Sequence, residues 1–282
     1  MKIRFLLSAF AGLLCFFVQA QIFNTESLRM FTGKQALNIK GGLNFSYNNN
    51  DGAYLYQVGA KIGGLLKTKD GKDSLNNKFF LHANYQLQRS ENQDFNNNWI
   101  VHFRYNKEFN NTFRLEAFAQ SQQNTLLSID ARNLIGAGIR LRLTKESNKK
   151  LHIYLGTAYM YEKERSKDLG LSLYNHRSSS YFTFTYRLKD DEDELKFLLI
   201  NTVYFQPLFR EFQNYRISND FSIEFPITEE IGFETYFSYF HNNKTPNGDV
   251  EYTSNLGFGF NYSFKSKPPG KKKNLSPDGG KI

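Results

Sequence analysis

The chain has 282 residues, with 36 Lys+Arg against 27 Asp+Glu and a formal net charge of +9. Two of those units lie in the first 20 residues and five in the last 18, so residues 21–264 are nearly neutral and a uniformly basic, nucleic-acid-binding surface is excluded. With 28 Phe, 17 Tyr and one Trp at a mean hydropathy of −0.55, the chain is too aromatic for a disordered protein and too hydrophilic for a helical membrane protein.

Lys2 and Arg4 precede the short apolar run Phe5–Val18, which ends in Val18-Gln19-Ala20. A basic start, an apolar stretch and small residues at the −3 and −1 positions predict a secretory signal peptide over residues 1–20, cut after Ala20. The run is too short for a membrane-spanning helix. Cys15, the only cysteine, lies inside it and follows Leu14, where a lipidation signal wants a small residue. The mature chain then has no thiol, so disulfides, thiolate metal sites and a cysteine nucleophile are not expected. Residues 21–35 read as an N-terminal periplasmic segment.

From residue 36 the pattern is period-two alternation in stretches of about ten residues. Phe79, Leu81, Ala83, Tyr85 and Leu87 alternate with Phe80, His82, Asn84, Gln86 and Gln88; Arg114 and Glu116 face away from Phe113, Leu115 and Ala117. In 134–143, Ile135, Ala137, Ile139, Leu141 and Leu143 share one face, and Leu134, Gly136, Gly138, Arg140 and Arg142 the other. Leu256, Phe258, Phe260, Tyr262 and Phe264 separate as cleanly from Asn255, Gly257, Gly259, Asn261 and Ser263. Such segments number twelve, over 36–47, 53–66, 78–88, 99–108, 112–122, 132–143, 150–163, 177–188, 194–206, 213–225, 230–241 and 251–264. The ninth is ambiguous in facing, because Leu198, Ile200, Thr202 and Tyr204 are flanked by Phe197, Leu199 and Val203.

The connections alternate in length. Asn110-Asn111, 144–149, 189–193 and 226–229 are tight and polar; 89–98, 123–131, 164–176, 207–212 and 242–250 are longer, and only the first pair of connections breaks the order. An even number of alternating strands, short turns on one side and long loops on the other predict an all-β fold: an up-and-down antiparallel transmembrane β-barrel of about 12 strands over residues 36–264, with periplasmic termini. Only a closed sheet pairs every backbone polar group inside hydrocarbon. Tyr54, Tyr56, Trp99, Tyr105, Tyr159, Tyr161, Tyr239 and Tyr262 fall near strand ends, where interfacial aromatic belts sit. A soluble β-sandwich or lipocalin-like protein alternates too, but lacks the coincidence of signal peptide, aromatic strand ends and twelve spans. The last strand, ending on Phe264, looks like the signal that the outer-membrane barrel-assembly machinery reads. Residues 265–282, rich in Lys, Pro and Gly, read as a disordered basic periplasmic tail, either simply solvated or touching anionic headgroups or acidic cell-wall polymer.

The stretch Asp130-Ala-Arg-Asn-Leu-Ile-Gly-Ala-Gly-Ile-Arg-Leu-Arg-Leu143, followed by Lys150-Leu-His-Ile-Tyr-Leu-Gly-Thr-Ala-Tyr-Met-Tyr-Glu162, resembles the outer-membrane family called domain of unknown function 481, whose members include proteins described as salt-induced outer-membrane proteins. Arg177-Ser-Ser-Ser-Tyr181, Tyr204-Phe-Gln-Pro-Leu208, Asn214-Tyr-Arg-Ile-Ser218, Ile227-Thr228, Pro246 and 256–264 continue the similarity. The resemblance implies an outer-membrane barrel and brings no activity, substrate or site residue with it.

The inward face is expected to carry Lys40, Lys61, Arg104, Arg114, Glu116, Arg140, Arg142, Glu162, Arg187, Arg216, Asp220, Glu224 and Glu234. Bases gather on early and middle strands and acids on the tenth and eleventh, a distribution that sets up a transverse field in an open pore. In a filled barrel the same groups pair across the lumen. The leading reading is a non-enzymatic barrel, either a narrow passage for small solutes or a structural envelope component, with outer-membrane lipid and lipopolysaccharide as surroundings and no nucleic-acid partner. The alternative is a lipid esterase or deacylase using His176 and Ser178, two apart on one strand face, although a third group to orient the histidine is missing. His82, His102, His152 and His241 have no metal-ligand spacing, and Asp168 and Glu162–Glu164 lack a calcium-loop pattern, so no cofactor or metal is expected. Gly136-Ala-Gly138 and Gly257-Phe-Gly259 lack the lysine and the helix of a phosphate loop and read as room for large neighbours.

Overall fold

The computed structural model describes residues 24–29, 35–50, 53–69, 76–90, 93–125, 129–166, 170–192, 194–245 and 251–266. The expected signal peptide, its cleavage site and the tail beyond residue 266 lie outside the described residues. Among the described residues a helical turn, α1 (Glu26–Arg29), precedes twelve strands: β1 (Leu37–Asn50), β2 (Ala53–Thr68), β3 (Asn77–Ser90), β4 (Gln93–Glu108), β5 (Phe113–Asn124), β6 (Ile129–Arg142), β7 (Leu151–Ser166), β8 (Ser172–Lys189), β9 (Leu195–Leu208), β10 (Glu211–Pro226), β11 (Ile231–Asn242) and β12 (Tyr252–Lys265). Each strand pairs antiparallel with the next, and β12 returns to β1 from Asn38↔Lys265 to Asn50↔Thr253, closing the barrel.

The surface is the inverse of a soluble protein's. Leu43, Tyr56, Ile62, Leu81, Ile135, Leu256 and Phe260 are each more than half exposed on the outside. Arg104, Arg132, Arg140, His102, Glu162, Thr183 and Gln206 are buried within. Only a solvent of hydrocarbon rewards that arrangement, and closure leaves no strand edge in it. β12 keeps its expected phase, with Leu256, Phe258, Phe260, Tyr262 and Phe264 all about half exposed. The ambiguous ninth strand resolves with Leu198, Ile200, Thr202, Tyr204 and Gln206 inward.

The expected asymmetry of the connections is not found. Strands β3 and β4 are joined across residues 91–92, β7 and β8 across 167–171, and β9 and β10 across 209–210. Most of the expected long loops 89–98, 164–176 and 207–212 is strand, with Gln88 opposite Asn96 and Arg165 opposite Ser172. The reason is physical. Ladder hydrogen bonds need backbone alone, so pairing continues through Asn-, Gln- and Ser-rich sequence after the apolar alternation has stopped. The apolar period marks the greasy band, not the strand ends.

Glycines on the inward face seat large neighbours, as expected. A Cβ at Gly136 would collide with the Phe118 ring, and one at Gly257 would lie 2.5 Å from Tyr236 Cζ.

Candidate functional site

The lumen is divided between two unlike walls. Along β5–β9, Phe118, Leu134, Met160, Tyr181 and Tyr204 form one buried apolar cluster that fills that side of the interior. It is bracketed by two ionic layers. Toward the distal rim, the one without chain termini, Arg132 Nε donates to Glu162 at 2.7 Å, and Arg216 donates to both oxygens of Glu162 at 2.8 Å and to both of Glu164 at 3.0 and 3.1 Å. Arg177 lies 3.5 Å from the same Glu162 carboxylate, and Asn175 donates to it at 3.2 Å. Three guanidiniums thus share two buried carboxylates, the planar forks matching the acid geometry.

The second layer, toward the terminal rim, is built by the segment ahead of the barrel. Asn24 Oδ1 accepts from the Glu26 amide at 2.9 Å and starts α1, which lies inside the barrel. Leu28 packs with Leu65 and Phe80, leaning on Gly63, where a Cβ would meet Leu28 Cδ1 at 2.8 Å. Arg140 donates to both oxygens of Glu26 at 2.7 and 2.9 Å while lying 3.8 Å over the Tyr154 ring. Arg29 lies in an ion pair with Glu26 at 2.9 Å and donates to Glu116 at 2.8 Å, 4.6 Å above Phe80. Glu116 also accepts from Asn106 at 2.6 Å and faces Arg104 at 3.9 Å. Burial pushes the Glu26 carboxyl up, but Arg140 and Arg29 outweigh it and hold Glu26 below the usual carboxylate range.

The wall formed by β1–β3 and β10–β12 is sparser. Lys40 on β1 pairs with Glu224 on β10, and Lys61 on β2 with Glu234 on β11, each three strands away along this wall. Asn261 donates to Glu234 at 2.9 Å and Asn44 to the Tyr236 hydroxyl at 2.9 Å. An inner cavity of about 230 Å³ lies here, reached by Lys40, Lys61, His82, Asp220, Glu234 and Tyr236. A second cavity of about 700 Å³ opens at the terminal rim, among Arg187, Lys189, Glu224 and the 226–232 turn. Ser27 of α1 and Lys40 line both.

The remaining sequence candidates sit nearer the rim. Arg114 Nε pairs with Glu108 at 2.7 Å, and its guanidinium lies 5.2 Å over Tyr154. Arg142 bonds the 144–148 turn, donating to the Thr144 hydroxyl at 3.4 Å and to the carbonyls of Lys145 and Asn148. The expected transverse separation of acids from bases does not occur among the described residues: Glu224 and Glu234 each face a lysine, and Glu26, Glu116, Glu162 and Glu164 stand among arginines.

His176 and Ser178 lie on the outward half of β8. The His176 ring is bonded to the Tyr159 hydroxyl and lies 5.2 Å from the Tyr161 ring, in an aromatic patch that includes Phe209. A tyrosine, not an orienting carboxylate, holds this imidazole. His102 Nε2 accepts from Arg104 at 3.3 Å, so its Nδ1 carries the proton donated to Gln120 at 2.9 Å. Among the described residues no group of three or more His, Cys, Asp or Glu is placed to hold a metal ion.

Sequence reasoning placed Glu162 and Arg216 inward but missed α1 and, in the distal layer, Arg132, Glu164 and Arg177. Glu26, Arg29 and Leu28 carry no periodic signal in so short a segment. Glu164 had one: Glu162, Glu164 and Ser166 continue the inward phase of β7 past the residues read as loop.

A family model described as protein of unknown function, DUF481, matches residues 60–264. No curated protein matches the chain. Among solved structures, the NanC porin is similar at 12% identity and TM-score 0.50, over 78% of this chain and 98% of that one. The COG4313 outer membrane channel from Pseudomonas putida F1 aligns at 8% identity and TM-score 0.49, over 83% of this chain and 97% of that one. At 12% identity the likeness to the NanC porin is one of fold.

Proposed function

We propose that this chain, which belongs to the DUF481 family of proteins of unknown function, is an outer-membrane barrel holding a narrow passage for small solutes, closed at rest by α1. The observation that carries this reading is a pair of cavities, one on the sparse wall and one at the terminal rim between β8–β9 and the β10–β11 turn. They run inward from the terminal rim, share Ser27 and Lys40, and are separated where α1 and the Lys40–Glu224 bridge meet. A barrel serving only as a structural element gains nothing from one wall left hollow; the opposite wall shows that this sequence can fill a lumen with Phe, Tyr, Met and Arg.

The apolar outer band and the likeness to a porin fold support an outer-membrane location, with lipid and lipopolysaccharide against the band and the terminal rim facing the periplasm. The barrel-assembly machinery is the partner expected during biogenesis, through β12. The inward charges pair with one another as guanidinium–carboxylate and lysine–carboxylate bridges, which supports a non-enzymatic reading.

Planar-bilayer recording of the folded full-length protein tests this. Small, infrequent conductance steps are expected from the wild type, and larger or more persistent ones after deletion of residues 24–29. Silence from both proteins, with folding verified, overturns the passage.

A further inference from the structure

One charged group on the wall of the inner cavity has no counter-ion. Lys40 is matched by Glu224 and Lys61 by Glu234. Asp220, projecting from β10 between Ser218 and Ser222 on the inward face, makes no ion pair or hydrogen bond among the described residues. Its remaining accessible surface opens onto this cavity. The cavity wall itself carries Lys40 and Lys61 against Asp220 and Glu234, but Lys40 is already taken by Glu224, which lines the second cavity, so two lysines stand against three carboxylates. His82 is the other ionisable side chain on the wall apart from Tyr236. An unmatched carboxylate enclosed by protein is costly, and a cation entering the cavity relieves that cost.

The rest of the lining narrows the kind of cation. The side-chain oxygens of Asn44, Asn84 and Asn255, on the same wall, lack a donor, so the site is short of N–H groups as well as of positive charge. A primary ammonium supplies three donors on one charge. Leu28, Ile100 and Ile200 also line the cavity, giving a hydrocarbon surface that a hydrated alkali ion has no use for. A volume of about 230 Å³ holds a small organic molecule rather than a single ion.

We propose that the inner cavity is a binding site for a small primary amine, with the ammonium on Asp220 and the alkyl part against Leu28, Ile100 and Ile200. The inference deepens the passage reading by naming a class of solute, and it rests on that reading only for what the site serves. α1 forms part of the wall through Ser27 and Leu28, with Asn24 just ahead of it, so the occupied site and the docked plug share one surface.

The test is calorimetric titration of n-butylammonium chloride into the folded full-length protein in detergent micelles. Saturable binding is expected, and Asp220→Asn, nearly isosteric, weakens it at least tenfold. n-Butanol and potassium chloride at the same concentration neither bind measurably nor compete. Ile200→Trp fills the cavity with Asp220 intact and also abolishes binding; the folded state of each variant is checked by its resistance to unfolding in cold detergent. Absence of binding to the wild type, binding unchanged by Asp220→Asn, or displacement by potassium at equal concentration overturns the proposal, the last by identifying an inorganic cation site. Because binding is read without transport, a protein that binds the amine but never conducts loses the passage alone, and one that conducts without binding loses the amine site alone.

Discussion

The two walls of the lumen are made from the same alternating strands and differ in what they point inward. The β5–β9 wall presents Phe118, Met160, Tyr181 and Tyr204, with the guanidiniums of Arg132, Arg177 and Arg216 packed around Glu162. The opposite wall presents Lys40, Asn44, Ser46, Gly59, Gly63 and Asn261, linked by single bridges. A barrel of twelve strands has room enough to be either filled or open. Here one wall is filled and the other is lined by cavities, and α1 is held by the filled wall through Arg140 and Glu116 while its Ser27 and Leu28 lie against the hollow one. The ionic networks knit the filled side together; on the other they are single bridges, as the proposed passage requires.

On that contrast, the largest effect comes from Glu162→Gln. Removing the acid leaves three buried guanidiniums sharing Glu164, and breaking a buried pair from one side costs ~3–5 kcal/mol. Urea unfolding of the refolded barrel in micelles should show a loss of that size. Glu234→Gln, on the hollow wall, should cost less, ~1.5–3 kcal/mol, because one lysine and one asparagine are left to rearrange beside a cavity. Equal losses from the two would erase the distinction.

Next in size is the release of α1. Glu26 has its docked carboxyl held below its free value, so the docking contribution is complete above the free value, about pH 4–5, and is lost as the pH falls through the docked value. A spin label on Ser27→Cys should be immobile at neutral pH and loosen on acidification. Loosening on alkalinisation instead would contradict the assignment of Glu26 as the clasp. Glu26→Gln should free the label at all pH values while the barrel itself stays folded.

The smallest effects separate the walls by size. Gly136→Ala forces a methyl into the Phe118 ring and within 2.7 Å of the Tyr159 carbonyl, with an expected cost of ~1–3 kcal/mol to the barrel. Gly63→Ala meets Leu28 methyls at 2.8 and 2.9 Å and the His82 ring at 3.3 Å. It should loosen α1 and leave barrel stability within about 0.5 kcal/mol.

The barrel was legible in the sequence because period-two alternation reports burial directly: the phase of Leu256–Phe264, or of Arg140 against Ile139, survives unchanged in the structure. Pairing was not legible. Whether Glu224 meets Lys40 depends on barrel shear and on the register in which β12 closes on β1, and neither leaves a local trace. The strand ends of β4, β7 and β8 were missed because polar sequence pairs as well as apolar sequence does. α1 was missed because a four-residue helix has no period to read; what fixes it is the complementarity of Glu26, Leu28 and Arg29 to sites more than 30 residues away.

The most direct test of the central claim compares cysteine reactivity on the two walls, in a sequence whose only cysteine is Cys15. Ser222→Cys lies on the hollow wall and Thr183→Cys on the filled one. In a conducting bilayer, a small charged thiol reagent added from the terminal side should modify Ser222→Cys quickly and reduce the current, and leave Thr183→Cys untouched. Equal reactivity at the two positions, or reaction at Thr183→Cys alone, would contradict a passage along the hollow wall.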